Sequence, residues 1–246
     1  MGIRKTMFGA VAATTMLVAT TADAGFDLSI SGLGGPLYSD SSLDAAGTLS
    51  IANGTTLSNG LTINEFSSNW SGFEALAGGG GAPDGAFVSM DFVVTNNTAV
   101  DQVLVMSAST TLVSPFLGGV VINGSVGFES LGTDVFNPNA TVGLNGGSPF
   151  YTANIDGSGV QNLVTVLPQN GAFNLFETTE SFGVPTPIAG PATANSDISM
   201  DIEFLIPAGA NISLTSTFNI EAVPAPGALA LLGVAGLGAR RRRRLG

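Results

Sequence analysis

The chain has 246 residues, with 18 Asp and Glu against 7 Lys and Arg, and neither His nor Cys. Every cation lies at an end, Arg4 and Lys5 near the start and Arg240, Arg241, Arg242, Arg243 and Arg244 near the finish. The body between them therefore cannot build a Ser-His or Cys-His nucleophile, a Schiff-base lysine, an arginine clamp on phosphate, or an imidazole or thiolate zinc site, and its purely anionic side chains exclude nucleic acid as a partner.

The first 24 residues open with Arg4 and Lys5, continue through an apolar run from Met7 to Ala19, and close on Ala22-Asp23-Ala24. That is the three-part layout of a secretory signal peptide, so the chain is expected to engage export machinery and to be cut between Ala24 and Gly25. A run this short serves as a signal helix rather than a permanent anchor.

Residues 25–222 form the acidic body, a length that fits one all-β domain. Period-2 alternation of apolar and polar residues predicts strands at 26–30, 61–66, 87–95, 102–109, 120–128, 160–167 and 212–220. The clearest strand runs from Asp197 to Phe204, with Ile198, Met200, Ile202 and Phe204 on one face and Asp197, Ser199, Asp201 and Glu203 on the other. Residues 91–98 and 102–106 read as a hairpin-like pair, 185–194 as a proline-rich extended crossover before the last two strands, and Ile206-Pro207-Ala208-Gly209 as a turn. Asn-Gly at Asn53, Asn59, Asn123, Asn145 and Asn170, and Asp-Gly at Asp84 and Asp156, predict tight hairpins. Gly78 to Gly81 with Ala82-Pro83 reads as a flexible loop inside the domain. The expected fold is all-β: an antiparallel β-sandwich of jelly-roll or immunoglobulin-like type, with an N-terminal signal helix and a C-terminal transmembrane helix.

Few sites suggest themselves in this body. Asp197, Asp201 and Glu203 share a strand face and could hold calcium, the one cofactor that oxygen-only ligands leave open, although the alternative is a solvated outer face. Trp70, in Ser68-Asn69-Trp70-Ser71-Gly72, is the candidate platform for a sugar; its alternative is a partly buried anchor. Most of the 15 Phe are expected to fill the core. Paired carboxylates would suffice for a glycoside hydrolase, but no pair stands out, and no catalytic residue is assigned. Asn-x-Ser/Thr triplets at Asn53, Asn69, Asn96, Asn123, Asn139 and Asn211 could accept glycans.

The tail from residue 223 reads Val223-Pro224-Ala225-Pro226, an uncharged stretch over 227–239, and the five arginines at 240–244. Prolines close the folded body, the uncharged stretch can enter a bilayer, and the arginines hold the terminus on the cytoplasmic side. In order and spacing this tail resembles the PEP-CTERM sorting signal of exported bacterial proteins, a Pro-Glu-Pro motif followed by a transmembrane stretch and a basic end; Ala225 stands where that motif has Glu. The resemblance implies recognition by an exosortase-like processing enzyme, a membrane association at least transient, and a place in the cell envelope or extracellular exopolysaccharide (biofilm) matrix. The expected function is structural or adhesive rather than enzymatic. A calcium-dependent carbohydrate-binding module is the alternative, and a carboxylate-only hydrolase the more distant one.

Overall fold

In a computed structural model of the chain, residues 25–74, 85–131, 148–165 and 175–223 are described. The signal segment with Ala22 and Ala24, the motif residues Pro224, Ala225 and Pro226, the apolar segment 227–239, Arg240 to Arg244, the loop at 78–81, the turns at Asp84, Asn145 and Asn170, and the triplet at Asn139 all lie outside the described residues.

Among the described residues the regular structure is entirely β: β1 (Phe26–Gly32), β2 (Gly35–Ser42), β3 (Ala46–Ser50), β4 (Thr55–Thr56), β5 (Leu61–Glu74), β6 (Gly85–Asn96), β7 (Gln102–Thr111), β8 (Val120–Leu131), β9 (Tyr151–Ile155), β10 (Ser158–Leu163), β11 (Leu175–Phe182), β12 (Ile188–Ala189), β13 (Asp197–Ile206) and β14 (Asn211–Ala222). They form an antiparallel sandwich. One sheet has the order β10-β9-β13-β7-β1-β2; the other runs β11-β8-β14-β6-β5-β3, with β12 added to β8 and β4 to β5. The chain passes from one sheet to the other between β6 and β7 and again between β13 and β14. Because β6 neighbours β14 while β7 neighbours β13, the two arches lie side by side. One step further out, β8 neighbours β11 while β9 neighbours β10, so an antiparallel ribbon is wrapped across both sheets.

Alternation explains the layers. On β13 the residues Ile198, Met200, Ile202, Phe204 and Ile206 are buried while those between face outward, and β6, β7 and β14 follow the same rule. The inward residues of both sheets form one core, with an aromatic cluster at its centre. Phe204 lies 6.2 Å from Phe92, 6.1 Å from Phe128 and 5.0 Å from Phe150, drawing on both sheets in tilted and edge-on arrangements. The buried Tyr151 of β9 donates its hydroxyl across the sandwich to Thr217 O of β14 at 2.9 Å. Burial pushes its phenol pKa upward.

The hairpin expected from residues 91–98 and 102–106 is instead an arch, since β6 and β7 belong to different sheets. Its corner is built on Asn96, which is fully buried. Asn96 Nδ2 donates to Val100 O (2.8 Å), Ile206 O (3.0 Å) and Pro207 O (3.1 Å), and Oδ1 accepts from Thr98 N (3.0 Å) and Thr98 Oγ1 (2.7 Å). One side chain thus ties the β6–β7 arch to the β13–β14 arch, whose turn falls at 206–209 as predicted, with Gly209 at φ 75°. It also corrects the expectation of a glycan at Asn96, whose amide nitrogen is consumed inside the protein.

Other departures have local causes. Asn123-Gly124 lies inside β8 rather than at a turn, and Gly124 leaves room there for the Phe182 ring, which a Cβ would approach to 2.7 Å. Asp156-Gly157 does form the predicted tight turn, between β9 and β10, with φ of 52° and 70°. The strand expected at 160–167 begins two residues earlier and stops at Leu163, where Val164 turns to φ 52° with its N–H bound to Glu180 Oε2 at 2.7 Å. Residues 183–196 form the expected crossover, attached by β12 to β8 and by a bridge between Phe116 and Ala194.

Candidate functional site

The most ordered polar surface is the outer face of the six-stranded sheet. Register places Thr152, Asp201, Ser107, Ser29 and Ser39 in one row across β9, β13, β7, β1 and β2, and Asn154, Ser199, Ser109, Asp27 and Ser41 in the next. Neighbouring strands are about 4.8 Å apart and alternate residues about 7 Å apart, so the face is a lattice of hydroxyls, amides and carboxylates. Where β2 borders β1 and β7 the lattice sinks into an open groove of about 440 Å³, with Asp27, Ser29, Ser39, Asp40, Ser107 and Ser109 in its lining.

Asp40 lies opposite the inward-facing Leu28, so it borders the groove through its backbone while its carboxylate shares the other side of β2 with Tyr38, accepting from Tyr38 Oη at 3.0 Å and from Ser41 N at 2.8 Å. The Tyr38 hydroxyl is held above its ordinary pKa, first by partial burial and then by its bond to Asp40 and that residue's charge. Such a face can accept hydrogen bonds from hydroxyl-rich or amide-bearing ligands and can attract hydrated cations. The chain supplies no imidazole, thiol or amine in its body to activate a serine, so the hydroxyls cannot act as nucleophiles by that route.

Asp197, Asp201 and Glu203 do share the outer face of β13. Their geometry does not make a ligand set. Asp197 Oδ2 accepts from Ser196 Oγ at 2.6 Å and Asp201 Oδ2 from Asn154 Nδ2 at 2.8 Å, and no three carboxylates converge among the described residues.

Trp70 is corrected outright. It is buried, its ring stacks on Phe26 at 4.2 Å and 12°, and its Nε1 donates to Asp44 O at 3.0 Å. Gly47 lies against the ring so closely that a Cβ there would stand 2.8 Å from Cζ2. Neither face of the indole is available to a sugar; the anchor alternative describes it.

Among the described residues, Asp156 is the carboxylate with the densest set of donors. Its oxygens receive Asn195 N (2.9 and 3.0 Å), Ser196 N (2.7 Å), Ser196 Oγ (3.0 Å) and Asn195 Nδ2 (3.0 Å). Partial burial acts to raise its pKa, but these bonds together prevail and hold the carboxyl below its ordinary value. This is opposite to what a general acid needs, and its role is to fasten the β9–β10 turn to the crossover.

The groove residues Asp27, Ser29, Ser39, Asp40, Ser41, Ser107 and Ser109 are absent from the sequence-based candidates. Their signal was present as Asp27-x-Ser29, Ser39-x-Ser41 and Ser107-x-Ser109, but only strand pairing brings these pieces together. No protein-family model matches the chain, and no curated protein matches it. Among solved structures, the infectious bursal disease virus VP2 subviral particle aligns with 90% of this chain and 73% of its own at 11% identity and a TM-score of 0.19. The T13 particle of the same virus aligns with 87% and 62% at 10% identity and a TM-score of 0.22. Similarity at that level carries no functional information.

Proposed function

We propose that this chain is an exported, non-enzymatic surface protein whose acidic sandwich is held at a membrane by its C-terminal tail and serves a structural or adhesive role in the envelope or its polysaccharide matrix. Of the two sandwich types expected, the side-by-side arches favour the jelly roll. The observation that carries the reading is where the body begins and ends. Gly25 O accepts from Thr111 N at 2.8 Å and Val223 N donates to Gly119 O at 3.1 Å, so both places lie at the same end of the sandwich, beyond β7 and before β8. A signal that leads into this end and is cut at Gly25, and a tail that leaves from it, are compatible with export followed by arrest at one bilayer, with the body on one side of it. Cell fractionation with a tag inserted before Val223, combined with protease treatment of intact cells, tests this. The tagged body is expected in the membrane or matrix fraction and accessible from outside, and soluble cytosolic full-length chain would refute it.

The groove favours a second reading, a module that binds a neutral polysaccharide through Asp27 and the surrounding serine hydroxyls, with Asp201 further along the Ser29–Ser107 row and without an aromatic platform. Calorimetric titration with matrix polysaccharide, repeated on Asp27→Ala and Asp201→Ala, separates the two. Affinity lost in the variants favours the module, whereas correct localisation with no affinity favours the structural role.

A further inference from the structure

The large apolar side chains that remain exposed are not scattered. Those most exposed among the described residues are Leu33, Leu43, Val100, Val113, Leu117, Val184, Ile188 and Val223. Leu33 and Val100 lie at the end built on Asn96; the other six lie at the opposite end. Backbone bonds tie together the loops that carry them, which span the end from the β2–β3 edge to the β11–β12 edge. Gly72 N donates to Ala45 O beside Leu43, and Val113 N donates to Gly72 O. Val223 is bonded to Gly119 next to Leu117, Val120 N donates to Pro191 O, and Ile188 pairs with Ile122 beside Val184 and Gly183.

Three segments of this end are uncharged. Residues 112–119, 183–194 and 222–223 contain no charged side chain, in a body with net negative charge and no cation. Asp44, Asp156, Asp197 and Glu221 are at the same end, with Asp156 engaged by Asn195 and Ser196. Leu43 is 80% exposed and Leu117 74%; Leu33 at the other end is 82% exposed, so what distinguishes the tail-bearing end is that six such residues collect there against two.

We propose that this end is a membrane-contacting face, with Leu43, Val113, Leu117, Val184, Ile188 and Val223 resting in the headgroup region of the bilayer that the tail enters. The inference rests on the reading of the tail given above and adds an orientation to it. Chain length identifies the occupant. Only Pro224, Ala225 and Pro226 separate Val223 from the uncharged stretch at 227–239, and three residues span at most about 10 Å. A body tethered that closely must present this end to the lipid, and apolar side chains without nearby cations suit the interface through burial rather than through attraction to anionic headgroups.

The absence of Cys makes the test direct. Leu117→Cys, Ile188→Cys and Leu33→Cys in the full chain each carry one environment-sensitive fluorophore, and folding is checked by the emission of the sole Trp. The proteins are reconstituted into phosphatidylethanolamine and phosphatidylglycerol vesicles and floated. Flotation with a blue shift and brominated-lipid quenching at 117 and 188, but not at 33, is the expected result. Flotation with all three labels equally aqueous overturns the face while leaving the tail reading intact; failure to float overturns both. A shift at 117 and 188 that appears in detergent without bilayers and grows with protein concentration assigns the surface to a second copy and overturns the membrane face.

Discussion

Replacing Asn96 is the most searching test of the fold, because one buried amide joins the two arches. In Asn96→Ala, Val100 O keeps Thr98 Oγ1 at 2.8 Å and Pro207 O keeps Ala210 N at 3.1 Å. The loss therefore concentrates on Ile206 O and on the Thr98 N–H, each a group whose unpaired burial costs about 1–3 kcal/mol. A total of about 3–5 kcal/mol is expected, a large share of the 5–15 kcal/mol typical of a domain, with a fall in Tm of about 6 to 20 °C. Asn96→Asp separates hydrogen bonding from shape. It retains the acceptor for Thr98 but turns an anionic oxygen toward three carbonyls, so its carboxyl pKa in the folded state rises above the unfolded value near about 3.9. The added penalty is present above the unfolded pKa and is relieved as the pH falls toward it, when a protonated carboxyl can donate once. Urea denaturation followed by far-ultraviolet circular dichroism at several pH values measures both variants. A loss under about 1 kcal/mol for Asn96→Ala, or an Asp-minus-Ala difference that ignores pH, would show that the corner does not depend on this side chain as argued.

Other consequences can be checked in the same assay. Trp70→Ala should cost about 3–5 kcal/mol through the cavity left beside Phe26, whereas a sugar platform at the surface would leave stability unchanged. Tyr151→Phe should lose about 1 kcal/mol. In the parent, Tyr151's raised pKa means its stabilisation is complete below the unfolded value of about 10 and declines as the pH rises above it, which alkaline melts of parent and variant compare. Asp156→Ala should cost about 1–2 kcal/mol at neutral pH, allowing for its partial exposure, and that difference should shrink in acid as the parent's depressed carboxyl is protonated. Because 17 carboxylates lie between Gly25 and Ala222 with no side-chain cation, thermal melts should rise with sodium chloride; a Tm independent of salt would show that mutual repulsion is negligible.

Strands with one buried face were legible because alternation records burial. β13, β14, β6 and β7 announce themselves in this way. β2 and β3 do not, since both are edge strands with little to bury: the exposed runs Ser39-Asp40-Ser41 and Ala46-Gly47-Thr48 carry turn-like residues and no apolar face. β9, with Tyr151-Thr152-Ala153-Asn154-Ile155, is too short for its alternation to separate from chance. Asn96 was read as a surface acceptor because its triplet is a local pattern, whereas its partners Ile206 and Pro207 are more than a hundred residues away and meet it only through the arch. Trp70 misled for a related reason. Its sequence neighbours are polar, but Ser68, on the same face, is itself buried with its hydroxyl bonded to Ser89 O at 2.7 Å, so small polar residues here share the core with the indole.

The same contrast separates what composition decides from what topology decides. The lack of His, Cys and body cations closes off whole chemistries without any structure, and no arrangement of strands can restore them. Composition alone does not say where the remaining polar groups collect. Pairing of β1 with β7 and β2 turns three separate x-Ser alternations into one groove, and the return of the chain to its starting end collects Leu43, Val113, Leu117, Val184, Ile188 and Val223 at one end of the sandwich. The apolar end gains from contact with a membrane, while Asp44, Asp156, Asp197 and Glu221 beside it oppose that contact on an anionic surface at any range the salt does not screen. Apolar burial and the three-residue tether from Val223 favour one orientation of the body, with its tail-bearing end down and the Asn96 corner away from the bilayer, and salt strengthens that preference by screening the carboxylates.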